Sequence, residues 1–407
     1  MMLEAILGIL FFCGLVFLLT LFVLGARRLL VPSGECQVDI NGRKKVTANI
    51  GERLLDVCQG AGIQWPSACA GAGTCGLCKL RVLEGNGEAS PQEQALLGRQ
   101  QIRRGARLGC QMKVRGPISI EIDEAFFDIR SWHCRVAQSR NVSTLIREIV
   151  LTLPEGETME FRAGGFVEVI CPPHRVEFRE FDIEPEFRDV WDKQDLWRLS
   201  SVSDSEVTRA YSMANHPAEK QRVMLNIRIA LPPPGNASLP PGVVSSWLFS
   251  LRPGDEITLR GPYGHFAVDP GDNELVFIGG GAGMAPLRAQ ILDLLETQGA
   301  RRKMGYWYGA RSLRELYYAD LFERLQGEFD NFSWHPALSA PEAGDAWKGD
   351  QGFIHQVALD RYLGSHPAPA SCDYYLCGPP LMVQSVLTML DDLGVAEERI
   401  HYDDFGT

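Results

Sequence analysis

Hydrophobic patterning is most one-sided near the start of the chain. From Ala5 to Ala26 the stretch AILGILFFCGLVFLLTLFVLGA carries no charge at all. At about 1.5 Å per residue such a run crosses a hydrocarbon core of ~30 Å, which predicts a transmembrane helix over 5–26. A cleaved leader fits less well, because the run is too long, no basic residue precedes it and it lacks a good small-residue cleavage site. Beyond it the period changes. In CQVDINGRKKVTANI two short stretches of β character flank Asn41-Gly42, a two-residue hairpin signal, and GERLLDVCQGAGI predicts a short helix closed by glycine. From about residue 130 the segments HCRVAQ, LIREIVLTL and FVEVICP alternate between turn residues, as strands of an antiparallel β-barrel do. After ELVFIGG the strand and helix patterns take turns down to PLMVQSVLTMLDDLG, which predicts an α/β doubly wound parallel sheet. The expected organisation is a helix at 5–26, domains at 34–128, 130–269 and 272–407, and an insertion at 172–208 that mixes acids with Phe181, Phe187, Trp191 and Trp197. Such a segment is read either as a partner-docking surface or as an insertion with its own small core.

Composition changes this picture in three places. A length of 407 residues calls for two or three domains, and 45% hydrophobic with 22% charged residues is ordinary for globular ones. The formal net charge of -11, with no basic stripe to offset it, argues against a nucleic-acid partner. Glu4 precedes the apolar run and Arg27 and Arg28 follow it, so the positive-inside tendency places the remainder in the cytoplasm. In that reducing compartment eleven cysteines are not a disulfide framework.

Three of those cysteines crowd into CAGAGTCGLC, Cys69 to Cys78, and a fourth follows in RLGCQM. Cys69, Cys75, Cys78 and Cys110 are four thiolates, enough to hold a [2Fe-2S] cluster. The intervening glycines and alanines permit positive φ and close approach of backbone N–H groups to the sulfides. Structural zinc is the alternative, but it usually shows two separated C-x-x-C pairs. Cys13, Cys36, Cys58, Cys134, Cys171 and Cys372 stand apart from this group and are expected to be structural. Downstream, RAYSM carries an arginine and an aromatic two residues apart, and in PPGVVSSWLFSL Gly242 opens a helix whose free N–H groups suit a pyrophosphate. In GGGAGMAP the glycine turn between a strand and a helix places a phosphate at a helix N-terminus.

The cysteine pattern resembles the β-grasp [2Fe-2S] ferredoxin family, with five residues between the first two cysteines where plant-type members have four. RAYS, GVVS, GPYG and the glycine turn together resemble the ferredoxin–NADP reductase superfamily. That resemblance implies that Arg209 binds the FAD pyrophosphate, Tyr211 packs on the isoalloxazine, Ser212 lies near its N5, and Gly242 with Ser245 caps the phosphates. It further implies that Gly280, Gly281, Gly283 and Pro286 approach the nucleotide phosphates. Cys377, Gly378 and Pro379 would lie near the nicotinamide, and Phe405 would cover the flavin. Cys377 as a buried thiol and Phe405 in an unstructured tail are the plainer readings. Arg311 and Arg314 stand where a 2′-phosphate would be met, yet Glu315 and the missing aromatic-basic pattern point to NADH.

The order of parts implies chemistry. NADH gives two electrons as hydride and a [2Fe-2S] centre accepts one, so a flavin must stand between them. The whole arrangement resembles the family of NADH-accepting F subunits of sodium-translocating NADH:quinone oxidoreductases. It implies a single-pass protein of the bacterial inner membrane that passes electrons to partner subunits and ubiquinone. Because the apolar run contains no acidic or basic residue, any ion pathway would lie in those partners. The alternatives are a reductase component of a multicomponent oxygenase and a membrane-tethered carrier without catalysis.

Overall fold

The computed structural model describes residues 2–67, 71–74, 76–85, 88–127, 129–233, 239–264 and 266–403, apart from 31–33. Cys69, Cys75 and Phe405 lie outside the described residues. The chain forms two compact units, Met1–Asp128 and Ile129–Thr407.

In the first unit the apolar run is one helix, α1 (Met2–Leu30), whose Ile6–Val23 segment is long and apolar enough to cross a membrane and has no buried residue. A mixed five-stranded sheet follows, built from β1 (Glu35–Ile40), β2 (Lys44–Asn49), β3 (Lys79–Glu84), β4 (Ala106–Leu108) and β5 (Ile118–Glu121) in the order β2-β1-β5-β3-β4. Asn41 and Gly42 turn the first hairpin with φ of 56° and 63°, the left-handed pair that matches strand twist. Cys36, Val38 and Ile40 alternate inward along β1, and α2 (Leu54–Gly60) buries Leu54, Leu55, Val57 and Cys58. Two short helices, α3 (Pro91–Leu96) and α4 (Arg99–Arg103), cross between β3 and β4. Ser90 and Glu93 form a complete capping box at the start of α3.

The second unit begins with six antiparallel strands, β6 (Arg130–Ser143), β7 (Ile146–Thr152), β8 (Phe166–Cys171), β11 (Val207–Ser212), β12 (Arg222–Arg228) and β13 (Glu256–Tyr263). Their order is β11-β8-β13-β6-β7-β12, and a bridge between Met213 and Leu225 joins the two edges, so the sheet curls into a barrel. Between β8 and β11 stands the insertion, with β9 (His174–Glu177), α5 (Arg188–Lys193) and β10 (Ser200–Ser203). Most of its aromatics point inward, with Trp197 half-buried. Phe178, Phe181, Phe187 and Trp191 are buried, Phe181 and Trp191 against Phe249 of α6 (Val243–Ser250), while Arg147 reaches in to donate to the carbonyls of Phe249 and Asp182. Trp191 also donates to the Thr144 carbonyl at 2.9 Å. Aromatic area of this kind is stabilised by exclusion from water, and here it extends the barrel's own core rather than forming a small core apart.

The rest is a parallel sheet in the order β17-β16-β15-β14-β18-β19. Its members are β14 (Leu275–Gly280), β15 (Met304–Ala310), β16 (Phe332–Leu338), β17 (Asp350–Gln351), β18 (Asp373–Cys377) and β19 (Ile400–Asp403). Helices α7 (Met284–Leu292) and α8 (Ala319–Glu328) pack on one face, and α9 (Ile354–Arg361) and α10 (Pro380–Asp392) on the other. Every residue of β14 is buried, as covering on both faces requires. The chain runs outward through β15 and β16 and then returns to β18 on the other side of β14. That reversal opens a crevice at the carboxyl ends of β14 and β18. Tyr318 joins this sheet to the barrel: its hydroxyl donates to the buried Glu148 and accepts from Asn226.

Candidate functional site

Three places gather the predicted residues. In the first unit, Cys78 and Cys110 come together across 32 positions of sequence: the Cys110 N–H points at the Cys78 sulfur at 3.5 Å, and the Gly109 N–H donates to the Cys78 carbonyl at 2.8 Å. Gly71, Gly73 and Gly76 of the cysteine loop all take positive φ, 85°, 76° and 67°. A side chain would be strained at each. Residues not singled out in the sequence hold this arrangement. Buried Glu93 accepts from Arg107 Nε at 3.2 Å and from the Leu108 N–H at 2.9 Å, fixing the strand that delivers Cys110. Gln111 Nε2 donates to the Gly71 carbonyl and reaches the Cys110 sulfur at 3.5 Å. Buried Trp65 lies where a Cβ on Gly109 would go, 2.6 Å away. Glycines that open a loop, with N–H donors aimed at cysteine sulfur, fit an anionic sulfur-ligated cluster. The scattered cysteines differ: burial pushes the Cys58, Cys134 and Cys171 thiols up to about 12 and Cys372 to about 11, so they stay protonated and unreactive.

The second place is the barrel's β11 and α6. Arg209 and Tyr211, two apart, share one face of β11, and Arg209 is exposed. Gly242 caps α6 with φ of -62°, so it is required for space rather than conformation. A Cβ there would meet the Ala230 Cβ at 2.7 Å. The Ser245 hydroxyl is engaged inside the protein, accepting from the Ala230 N–H and donating to the Gly242 carbonyl, both at 3.1 Å. What α6 offers an anion is therefore the backbone N–H groups of its first turn. Ser212, on the opposite face of β11, donates to Asp403 at 3.2 Å. Asp403 ends β19, and its carbonyl lies 3.6 Å from the Cys377 sulfur at the end of β18. Ser212 and Cys377 thus meet through a residue that no local pattern marked.

The third place is the crevice, a cavity of about 980 Å³. Gly280, Gly281 and Pro379 line it. Gly283, Pro286 and Cys377 do not: they are buried behind, and a Cβ on Gly283 would fall 2.0 Å from the Cys377 carbonyl oxygen. Gly378 interlocks in the same way, its Cβ position lying 2.9 Å from the Gly280 oxygen. These glycines let two turns pass within contact distance, which is a packing requirement. Tyr308 and Tyr317 both donate to the Gly281 carbonyl, at 3.1 and 2.8 Å, and hold that turn with Gly281 at φ of 54°. Glu315 lines the cavity as well. Its carboxylate accepts from the Thr144 N–H and hydroxyl, so it ties the nucleotide sheet to the barrel.

Residues 38–115 match the 2Fe-2S iron-sulfur cluster binding domain family, 196–268 the oxidoreductase FAD-binding domain and 277–388 the oxidoreductase NAD-binding domain. The chain is 49% identical over 404 residues, 99% of both chains, to the F subunit of the Na(+)-translocating NADH-quinone reductase of Marinomonas sp.. It is 48% identical over 406 residues, the whole of both chains, to the protein of that name in Methylococcus capsulatus. Among solved structures, the Amycolatopsis cytochrome P450 reductase matches at 25% identity with a TM-score of 0.63, over 91% of this chain and 98% of that one. The ferredoxin reductase in carbazole 1,9a-dioxygenase, at 24% identity and a TM-score of 0.57 over 92% and 99%, shares the fold.

Proposed function

From the premise that this chain belongs to the family of F subunits of the Na(+)-translocating NADH-quinone reductase, we propose that it is the NADH-oxidising member of a bacterial inner-membrane complex. It takes hydride from NADH onto FAD and passes single electrons to a [2Fe-2S] cluster. Partner subunits receive them and reduce ubiquinone while the complex moves sodium. α1 anchors the chain once in the membrane, and the folded units stand on the cytoplasmic side. The convergence of Ser212, Asp403 and Cys377, where the flavin strand meets the nucleotide sheet, carries this reading.

Bound flavin accepts an electron pair and releases it singly, which the cluster requires. This chain's residues bind and orient. Arg209 and the α6 N-terminus supply charge and donors for a pyrophosphate, and Tyr211 offers a flat face for a ring. Asp403 takes the Ser212 proton in a hydrogen bond, so that the lone pairs of the hydroxyl are aimed before substrate arrives. The interlocked glycines hold the Gly280–Gly281 turn open for a phosphate and keep Cys377 dry beneath it. Cys69, Cys75, Cys78 and Cys110 would ligate the cluster, with Gln111 and the Cys110 N–H donating to sulfur.

An oxygenase reductase shares this fold, but its resemblance stops at 91–92% of the chain and lower identity, whereas the relatives in the quinone reductase match throughout. The test is an anaerobic NADH titration of the full chain in detergent, followed by flavin absorbance and EPR. Flavin bleaching with growth of a rhombic signal near one spin per chain is expected. Bleaching with no cluster signal even after dithionite would return the cysteine loop to zinc.

A further inference from the structure

On an open parallel sheet the adenosine of a dinucleotide lies beyond the second strand. A carboxylate there accepts from the ribose 2′-hydroxyl, or an arginine takes the 2′-phosphate of the phosphorylated form. Here that place is Arg311–Glu315, after β15. Arg311 and Arg314 look like a phosphate pair, yet Arg314 is already held. Its guanidinium donates to Asp189 at 2.7 Å and to Glu342 at 2.6 Å, and reaches the Glu186 carbonyl at 3.3 Å. Its side chain is 25% exposed. Asp189 comes from α5 of the insertion. Glu342 comes from the loop after β16, which is pinned in turn: the Ala340 N–H donates to the Arg311 carbonyl at 2.7 Å, and the Glu342 and Leu313 N–H groups share Asp345 at 2.8 and 3.0 Å. Asp189, Arg314 and Glu342 all line the 980 Å³ cavity, as do Arg311 and Lys193.

We propose that the insertion is a specificity element of the nucleotide site: Asp189, with Glu342, occupies and neutralises Arg314, and so sets the preference for NADH over NADPH. The inference rests on the reading of the cavity as the nucleotide site. A 2′-phosphate brings close to two negative charges, and Arg314 could meet it only by giving up two carboxylates that would then face the phosphate unpaired. A ribose hydroxyl is neutral, and a carboxylate is an acceptor for it. Arg311 and Lys193 leave positive charge at the rim, so the selection is expressed as a ratio rather than as absolute exclusion. It also gives a long insertion with a buried core a task at its exposed end.

The experiment compares kcat/KM for NADH and NADPH in the detergent-purified full chain, with ferricyanide as acceptor. Asp189→Asn combined with Glu342→Gln is expected to raise the NADPH-to-NADH ratio at least fivefold, mainly through KM for NADPH. Adding Arg314→Gln is expected to abolish the gain. An unchanged ratio in the double variant, or a gain that survives loss of Arg314, overturns the proposal. Ser385→Trp separates the two levels, because Ser385 lines the same cavity from α10. If that variant leaves KM for both nucleotides unaltered, the cavity is not the nucleotide site and the underlying reading fails. If it raises both while the ratio in the double variant stays fixed, the Arg314 assignment alone fails.

Discussion

The Ser212 hydroxyl and the Asp403 carboxylate are 3.2 Å apart yet 191 positions apart in the chain. A hydroxyl held this way is oriented before reaction, and removal of one such preorganised group costs roughly 100-fold in rate. Ser212→Ala is therefore expected to retain bound flavin and to slow its bleaching by NADH about 100-fold in stopped-flow absorbance. Gly283→Ala acts differently, since its Cβ would collide with the Cys377 carbonyl. It is expected to lower thermal stability and to raise KM for NADH together, because backbone has to shift to admit a methyl group. Cys110→Ser should remove the cluster's EPR signal and visible absorbance while flavin bleaching by NADH proceeds at its usual rate. Cys78 and the glycine turns stood out because motif spacing is local, whereas the roles of Cys110, Ser212 and those glycines came from the family resemblance. Asp403, Gln111 and Glu93 were not legible, because their roles exist only through partners brought close by folding.

At the scale of elements, alternation and punctuation reported the strands well, and Asn41-Gly42 announced its hairpin by the one conformation that suits it. The insertion was the exception. Its acids and aromatics are interspersed at no fixed period, so sequence could not say which way the rings point, whereas the structure buries Trp191 among Phe178, Phe181 and Phe249. Trp191→Ala removes a fully buried indole and the bond to Thr144, a loss of about 3–5 kcal/mol for a large aromatic. The expected result is a lower midpoint in chemical denaturation. The NADPH-to-NADH ratio should rise with it, because α5 carries both Trp191 and Asp189.

At the scale of the molecule, the chain is an anchored redox protein whose soluble part contains each motif needed for NADH oxidation. Removal of residues 1–30 is expected to yield a detergent-free protein that still reduces ferricyanide with NADH. It should fail to restore quinone reduction in membranes lacking the native chain, which rate assays with the two acceptors would show. The anchor was legible because an uncharged apolar run of bilayer length has one main physical use. Partner subunits and ubiquinone entered only through the family resemblance, since recognition of another molecule has no local pattern comparable to an apolar run.

The edges of the barrel meet, among the described residues, in the bridge of Met213 to Leu225, directly after the strand that carries Arg209, Tyr211 and Ser212. Such a seam has few ladder bonds to lose, so it is where the barrel should breathe first. A ligand that lies along β11 and binds only the closed form acts as a clasp on that seam. Flavin loss would then register as faster amide exchange in β11 and β12, with β6 and β7 still protected, and the cofactor would be as much a fastener of the domain as its redox centre.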